Sequence, residues 1–248
     1  MGGDAPEARL ARFRTALLRY RGLAGVAIDL ETAVRVEEVE LGIIESLKPA
    51  VREAVEAGES LNSLAARLLE EGTLSRLAGV VAEKLGLEGP RDLGDALQRM
   101  ASGDIEAPGA KVAFVVMQAV ARAYAEVLLE AEGPREVMGT RCPVCGAESD
   151  VMAAEPDGGY SMVCPFCFYK WRLPGVGLSC PSCGSRDRFA LGIYTGRSDK
   201  RVALLHCQNC GFTARVILDR NVASGAPRSL LPLIALRADR YRAFVGEA

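Results

Sequence analysis

Cys142-Pro-Val-Cys-Gly146, Cys164-Pro-Phe-Cys-Phe168, Cys180-Pro-Ser-Cys-Gly184 and Cys207-Gln-Asn-Cys-Gly211 repeat one short phrase four times within 70 residues. They hold all 8 cysteines of the 248-residue chain, and none falls in the first 141 positions. Two thiolates three residues apart can reach one metal ion from a single tight turn, and two such turns complete a tetrahedron of sulfur. Four turns therefore predict two metal ions, held by Cys142, Cys145, Cys164, Cys167, Cys180, Cys183, Cys207 and Cys210. Gly146, Gly184 and Gly211 follow three of the pairs, where a metal-binding turn tends to end in a left-handed residue that glycine adopts without steric cost. Phe168 occupies that place after the second pair, which predicts a less regular turn there. Pro143, Pro165 and Pro181 stiffen three of the turns at a fixed φ.

The residues between the pairs suggest how the cysteines are shared. Gaps of 18, 12 and 23 residues separate successive pairs. The first matches a four-cysteine module that returns to its own ion, the second is short for one, and the third contains a clear hairpin. We therefore assign Cys142, Cys145, Cys164 and Cys167 to one ion and Cys180, Cys183, Cys207 and Cys210 to the other, with nested or crossed arrangements as the alternative. Short β-type runs surround the turns. Val151-Met-Ala153 and Tyr160-Ser-Met-Val163 flank Pro156-Asp-Gly-Gly159, and Tyr169-Lys-Trp-Arg-Leu173 follows the second pair. Phe189 to Tyr194 and Arg201 to Leu205 flank a second turn, and Phe212 to Leu218 follows the fourth pair. Cysteine turn, hairpin, cysteine turn, strand thus occurs twice, which is the plan of a zinc-ribbon or rubredoxin-like module in duplicate. Sulfur ligation suits zinc and iron alike, and whether the ions are structural or redox-active stays open.

The first half reads as helices. Asp4, Pro6 and Glu7 form a capping pattern before Leu10, Phe13, Leu17 and Leu18. Ser60 precedes Leu61, Leu64, Leu68 and Leu69, and Thr73 precedes Leu74, Leu77, Val80 and Val81. The longest helix is expected from Ala110 to Glu132, ended by Gly133-Pro134, while Pro49 and Pro90 mark other boundaries. The expected fold is α+β and multidomain. It comprises a helical domain at 1–138, four-cysteine modules at 139–175 and 176–225, and a helical C-terminal tail at 226–248.

Composition narrows the function classes. The chain is 49% hydrophobic and 25% charged, as expected of a folded protein. No signal peptide is visible, and the apolar run Val112 to Met117 is too short to span a bilayer, so a cytoplasmic location is expected. In that reducing setting paired cysteines serve as metal ligands rather than disulfides. Residues 1–138 carry 16 Lys and Arg against 23 Asp and Glu, a balance of −7, and residues 139–248 carry 14 against 9, a balance of +5. Two four-thiolate sites would offset most of that positive excess. His206, the only histidine, is expected to be structural, and Glu37, Glu38 and Glu40 are expected on a solvated helix face. No nucleophile with a base partner and no phosphate loop is present, so no enzyme active site is expected.

The cysteine half resembles the formate dehydrogenase accessory proteins of the FdhE type. The resemblance rests on Cys142-Pro-Val-Cys-Gly146, on Cys164-Pro-Phe-Cys167 with Trp171-Arg172 behind it, and on Cys180-Pro-Ser-Cys183. Leu205-His-Cys-Gln-Asn-Cys-Gly211 and an apolar strand complete it, and it covers about residues 139–220. It implies an assembly factor that binds the catalytic subunit of a molybdenum- or tungsten-dependent formate dehydrogenase, with rubredoxin-like metal centres built from the eight cysteines. Trp171 and Arg172 carry over as motif positions, with core packing expected of the indole. Two other classes are compatible with the residues. One is a nucleic-acid-binding zinc ribbon using Phe166, Phe168, Tyr169 and Trp171 with Arg172, Arg186 and Arg188. The other is a small electron carrier. A homodimer is open.

Overall fold

The structure, a computed structural model, describes residues 5–20, 29–197 and 199–246. Asp4 of the expected first helix cap lies outside the described residues. The chain divides into two compact units. One comprises Met1–Phe13 and Asp29–Ala131, the other Arg14–Ile28 and Glu132–Ala248, so that α1 (Pro6–Tyr20) contributes to both.

The first unit is built from helices that start and stop where local chemistry tells them to. α2 (Leu30–Glu56) begins at Asp29, whose carboxylate accepts from the backbone N–H of Glu31. α3 (Leu61–Glu70) begins at Ser60, whose hydroxyl accepts from Ser63 N–H at 3.2 Å, and α5 (Leu93–Ala101) begins at Asp92 in the same way. α4 (Thr73–Leu85) ends at Gly86 in a left-handed conformation with φ 66°. α2 continues through Pro49, where a boundary is expected from the sequence. Interior proline costs about 3 kcal/mol. Burial of Ile44, Leu47, Val51 and Ala54 on either side offsets it, since each large apolar side chain contributes about 1.5–3 kcal/mol.

α6 (Ala110–Glu132) has the expected bounds and is buried over most of its circumference. By length and composition it is apolar enough to cross a membrane, and 72% of its most apolar stretch is buried inside the protein. In the sequence its apolar run from Val112 stops at Gln118. That residue and Arg122 are both buried here, so the apolar character continues past them along a core helix.

The second unit is a six-stranded sheet in the order β3-β2-β1-β6-β5-β4. β1 (Val151–Ala154), β2 (Tyr160–Val163) and β3 (Lys170–Arg172) form one antiparallel meander, and β4 (Leu191–Tyr194), β5 (Val202–Cys207) and β6 (Thr213–Ile217) form another. The two meanders fuse through a parallel pair in which Met152 lies opposite Val216. Two ribbons of similar plan thereby become one layer. β1 is buried along its whole length and β5 nearly so. On the sheet pack α7 (Arg220–Gly225), α8 (Leu231–Ala235) and the 3₁₀ turns of Leu236–Gly246. Burial on both faces explains why these strands read as apolar runs rather than alternating ones. At the far edge, Val137 N–H donates to Arg172 C=O and Arg172 N–H to Arg135 C=O, both at 2.9 Å, so residues 135–137 cover β3.

Candidate metal centres

Each cysteine pair sits on the same backbone knuckle. The N–H of the first cysteine donates to the carbonyl five residues on: Cys142 to Ala147, Cys164 to Tyr169, Cys180 to Ser185 and Cys207 to Phe212, at 2.8–2.9 Å. In three of the turns the glycine N–H closes back on the first cysteine's carbonyl, and Gly146, Gly184 and Gly211 all have φ 74°. Phe168 adopts the same left-handed conformation, with φ 57°, and it is the one described non-glycine residue to do so. The irregularity expected at the second pair does not extend to this backbone angle or to the bond from Cys164 N–H to Tyr169 C=O. Phe168 itself carries the strain of the left-handed conformation.

The knuckles bring the sulfurs together in the pairing read from the gaps. Cys142, Cys145, Cys164 and Cys167 form one group and Cys180, Cys183, Cys207 and Cys210 the other, with all ligand atoms of a group within 4.8 Å of one another. The Cys142–Cys167 and Cys145–Cys164 sulfur separations are both 3.5 Å, and the Cys180–Cys210 and Cys183–Cys207 separations are 3.6 and 3.7 Å. All eight thiols are free. A disulfide would bring two sulfurs to about 2.0 Å. A tetrahedron with a metal–sulfur bond of about 2.3 Å has edges of about 3.8 Å, and these separations approach that. The donor chemistry agrees with the geometry. The N–H groups of Phe166 and Cys167 each lie 3.4 Å from Cys164 Sγ, as donors to a thiolate would. Hydrogen bonds from Cys142, Cys164 and Cys167 push the Cys145 thiol far down, while those shared with Cys142, Cys145 and Cys164 push Cys167 far up. Four sulfurs in contact stabilise negative charge at one position at the others' expense. A cation at the centre of the group would relieve that competition for all four.

Other candidates from the sequence take different places. Trp171 is fully buried on β3 opposite Met162, and its indole N–H donates to Gly139 C=O at 3.4 Å, which ties the segment before Cys142 to the sheet. Tyr169 is fully buried as well, and Arg172 is held by Asp157. The aromatic stacking platform of the nucleic-acid reading is thus not assembled. His206 is half-buried, with Nδ1 3.3 Å from Thr213 Oγ1. Of the three glutamates expected on a solvated face, Glu38 is exposed, but Glu37 and Glu40 are not. Both are buried against Arg122 of α6, which donates to Glu37 at 2.8 and 3.0 Å and also to Glu40. A partner more than eighty residues away leaves no local signal by which sequence reading could find it.

No protein-family model and no curated protein matches the chain. Among solved structures, the FdhE protein from Pseudomonas aeruginosa superposes with a TM-score of 0.56 over 99% of this chain and 93% of that one, at 16% sequence identity. The fold is that of FdhE. Within the FdhE-like architecture the helical region comes first, and the mixed sheet with both four-cysteine groups and the C-terminal helical turns follow.

Proposed function

We propose that the chain is a metal-binding accessory protein, not an enzyme, that serves the maturation of a molybdenum- or tungsten-dependent formate dehydrogenase in the cytoplasm by binding its catalytic subunit. The observation that carries this reading is the thiol geometry: two groups of four free sulfurs, each within 4.8 Å of one another and each with two pairs at 3.5 to 3.7 Å. Each group holds one zinc or iron ion in this reading, with the eight cysteines as ligands. Four thiolates leave no open coordination position for hydrolysis, so the ions act as scaffold or as electron-transfer centres. Modules 139–175 and 176–225 carry one ion each, and the helical region 1–138 supplies the partner surface. The FdhE-like fold and the order of cysteine motifs around Trp171 support the assignment to formate dehydrogenase.

The test is co-purification with the candidate catalytic subunit, with metal analysis on the same sample. The expected result is two metal ions per chain and recovery of the subunit, with formate dehydrogenase activity lost when the gene for this chain is deleted. A subunit that never co-purifies, together with activity that survives deletion, defeats the assembly reading. Visible colour from ferric thiolate separates iron from zinc.

A further inference from the structure

The two cysteine groups differ in how far water reaches their sulfurs. In the first, Cys142, Cys164 and Cys167 are 3%, 0% and 2% exposed, and Cys145 is half-buried. In the second, Cys180 and Cys207 are fully buried, but Cys183 and Cys210 are exposed. The difference follows the residue behind each pair. The second cysteine is half-buried or exposed where a glycine comes next, as at Gly146, Gly184 and Gly211. It is buried at Cys167, where Phe168 comes next with a half-buried ring.

Exposure governs whether a full coordination sphere can exchange its ion. An incoming ligand must reach the metal while one thiolate departs, and the departing thiolate must be solvated. A thiolate released into a buried surrounding has no water to receive it and keeps the cost of an unsolvated charge. In the first group Cys164 is further anchored by the Phe166 and Cys167 N–H groups at 3.4 Å. In the second, Cys183 and Cys210 lie on different turns, which are linked at the surface by Asn209 donating to Ser185 Oγ at 3.0 Å. Either sulfur can swing into solvent while the two buried ones keep hold.

Building on the reading of both groups as four-thiolate metal sites, we infer that the second is an exchange site for soft divalent ions such as zinc or cadmium, entered and left through Cys183 and Cys210. The first is kinetically closed. The chain thus carries one permanent ion and one that answers to the thiophilic ions and thiol reagents around it.

The experiment uses the full-length, zinc-loaded protein. A chromophoric chelator reports zinc release, and timed N-ethylmaleimide labelling with peptide mass spectrometry reports which sulfurs open. The released thiolate forms a carbon–sulfur bond with maleimide and the adjacent carbon takes a proton from water, so each labelled cysteine leaves the ligand set. We expect one zinc per chain to leave at least about tenfold faster than the other, a barrier difference of about 1.4 kcal/mol. Cys183 and Cys210 are labelled in the fast phase, and Cys142, Cys145, Cys164 and Cys167 only in the slow one. Cys183→Ser removes the fast-releasing zinc and leaves the slow one in place. Should that variant misfold, the labelling order of the wild type decides alone. Two zinc ions released at one rate, or earlier labelling of the first group, overturn the inference while leaving the metal reading intact. A folded protein that retains no zinc or iron at all overturns the metal reading itself.

Discussion

Phe168 pays a backbone penalty that glycine at the other three knuckles avoids. A non-glycine residue in the left-handed region costs roughly 1 kcal/mol or more, and here that cost coincides with the one buried second cysteine. Phe168→Gly relieves the backbone and removes the ring. The expected outcome is a melting temperature within a few degrees of wild type together with maleimide labelling of Cys167, which mass spectrometry checks; continued protection of Cys167 would show that the ring does not shield it. The buried charges of the helical unit behave differently. Glu40 has its carboxyl pushed up to about 7 by burial, against the pull of Arg122 and with the neighbouring Glu37 adding to the rise. Its folded-state value lies above the ordinary glutamate value of 4.5, so the folded protein binds the extra proton. Its contribution to stability is complete below about pH 4.5 and is lost as pH rises through 7. Between pH 5 and 8 the urea midpoint of wild type should therefore fall more than that of Glu40→Gln, by on the order of 2 kcal/mol in stability. Equal slopes for the two proteins would show that Glu40 does not titrate in this window. Arg122→Ala should cost about 3–5 kcal/mol, because it leaves Glu37 and Glu40 buried without their shared cation.

At the scale of elements, Asp199 fastens the β4–β5 hairpin to the C-terminal turns. It accepts from the backbone and side chain of Arg201 and pairs with Arg237 at 2.9 Å and Arg240 at 3.1 Å. Burial raises its carboxyl, but the bonds from Arg201 and the charge of Arg237 outweigh that and hold it at about 2. Its folded value is depressed, so its contribution is present above about pH 3.8 and lost as pH falls through 2. Asp199→Asn should destabilise the sheet unit by about 1–3 kcal/mol at neutral pH and speed amide exchange in 236–246. Unchanged exchange there would remove this residue from the role of fastener. What could be read from the sequence follows the same scale. Every strand was visible in its own run of residues, and both cysteine groups were visible in their spacing, because hairpins and knuckles are local. The α6 bounds were visible for the same reason. The Arg122 pairs, the Asp199 cluster and the β1–β6 junction bring together residues far apart in the chain, and no turn or periodicity announces them. The Pro49 reading failed because a local rule lost to burial of the whole helix face.

At the scale of the molecule, the metal reading makes the sheet unit, which holds all eight cysteines, dependent on its ions. Trp171 is the only tryptophan, fully buried in the sheet unit, and so reports on that unit. Stripping metal with a chelator under reducing conditions should red-shift its emission while most of the helical signal at 222 nm persists. An unshifted emission after complete metal removal would mean that packing alone holds the sheet. The parallel junction between β1 and β6 has a consequence for the newborn chain. Asp150 and its partner Arg215 are 65 residues apart, so β1 leaves the ribosome long before the strand that will cover its open side. At ordinary synthesis rates that interval lasts on the order of ten seconds, during which an apolar strand presents an unpaired edge to the crowded interior of the cell. Chains halted before residue 213 should therefore aggregate or recruit a holding chaperone even with their first cysteine group complete.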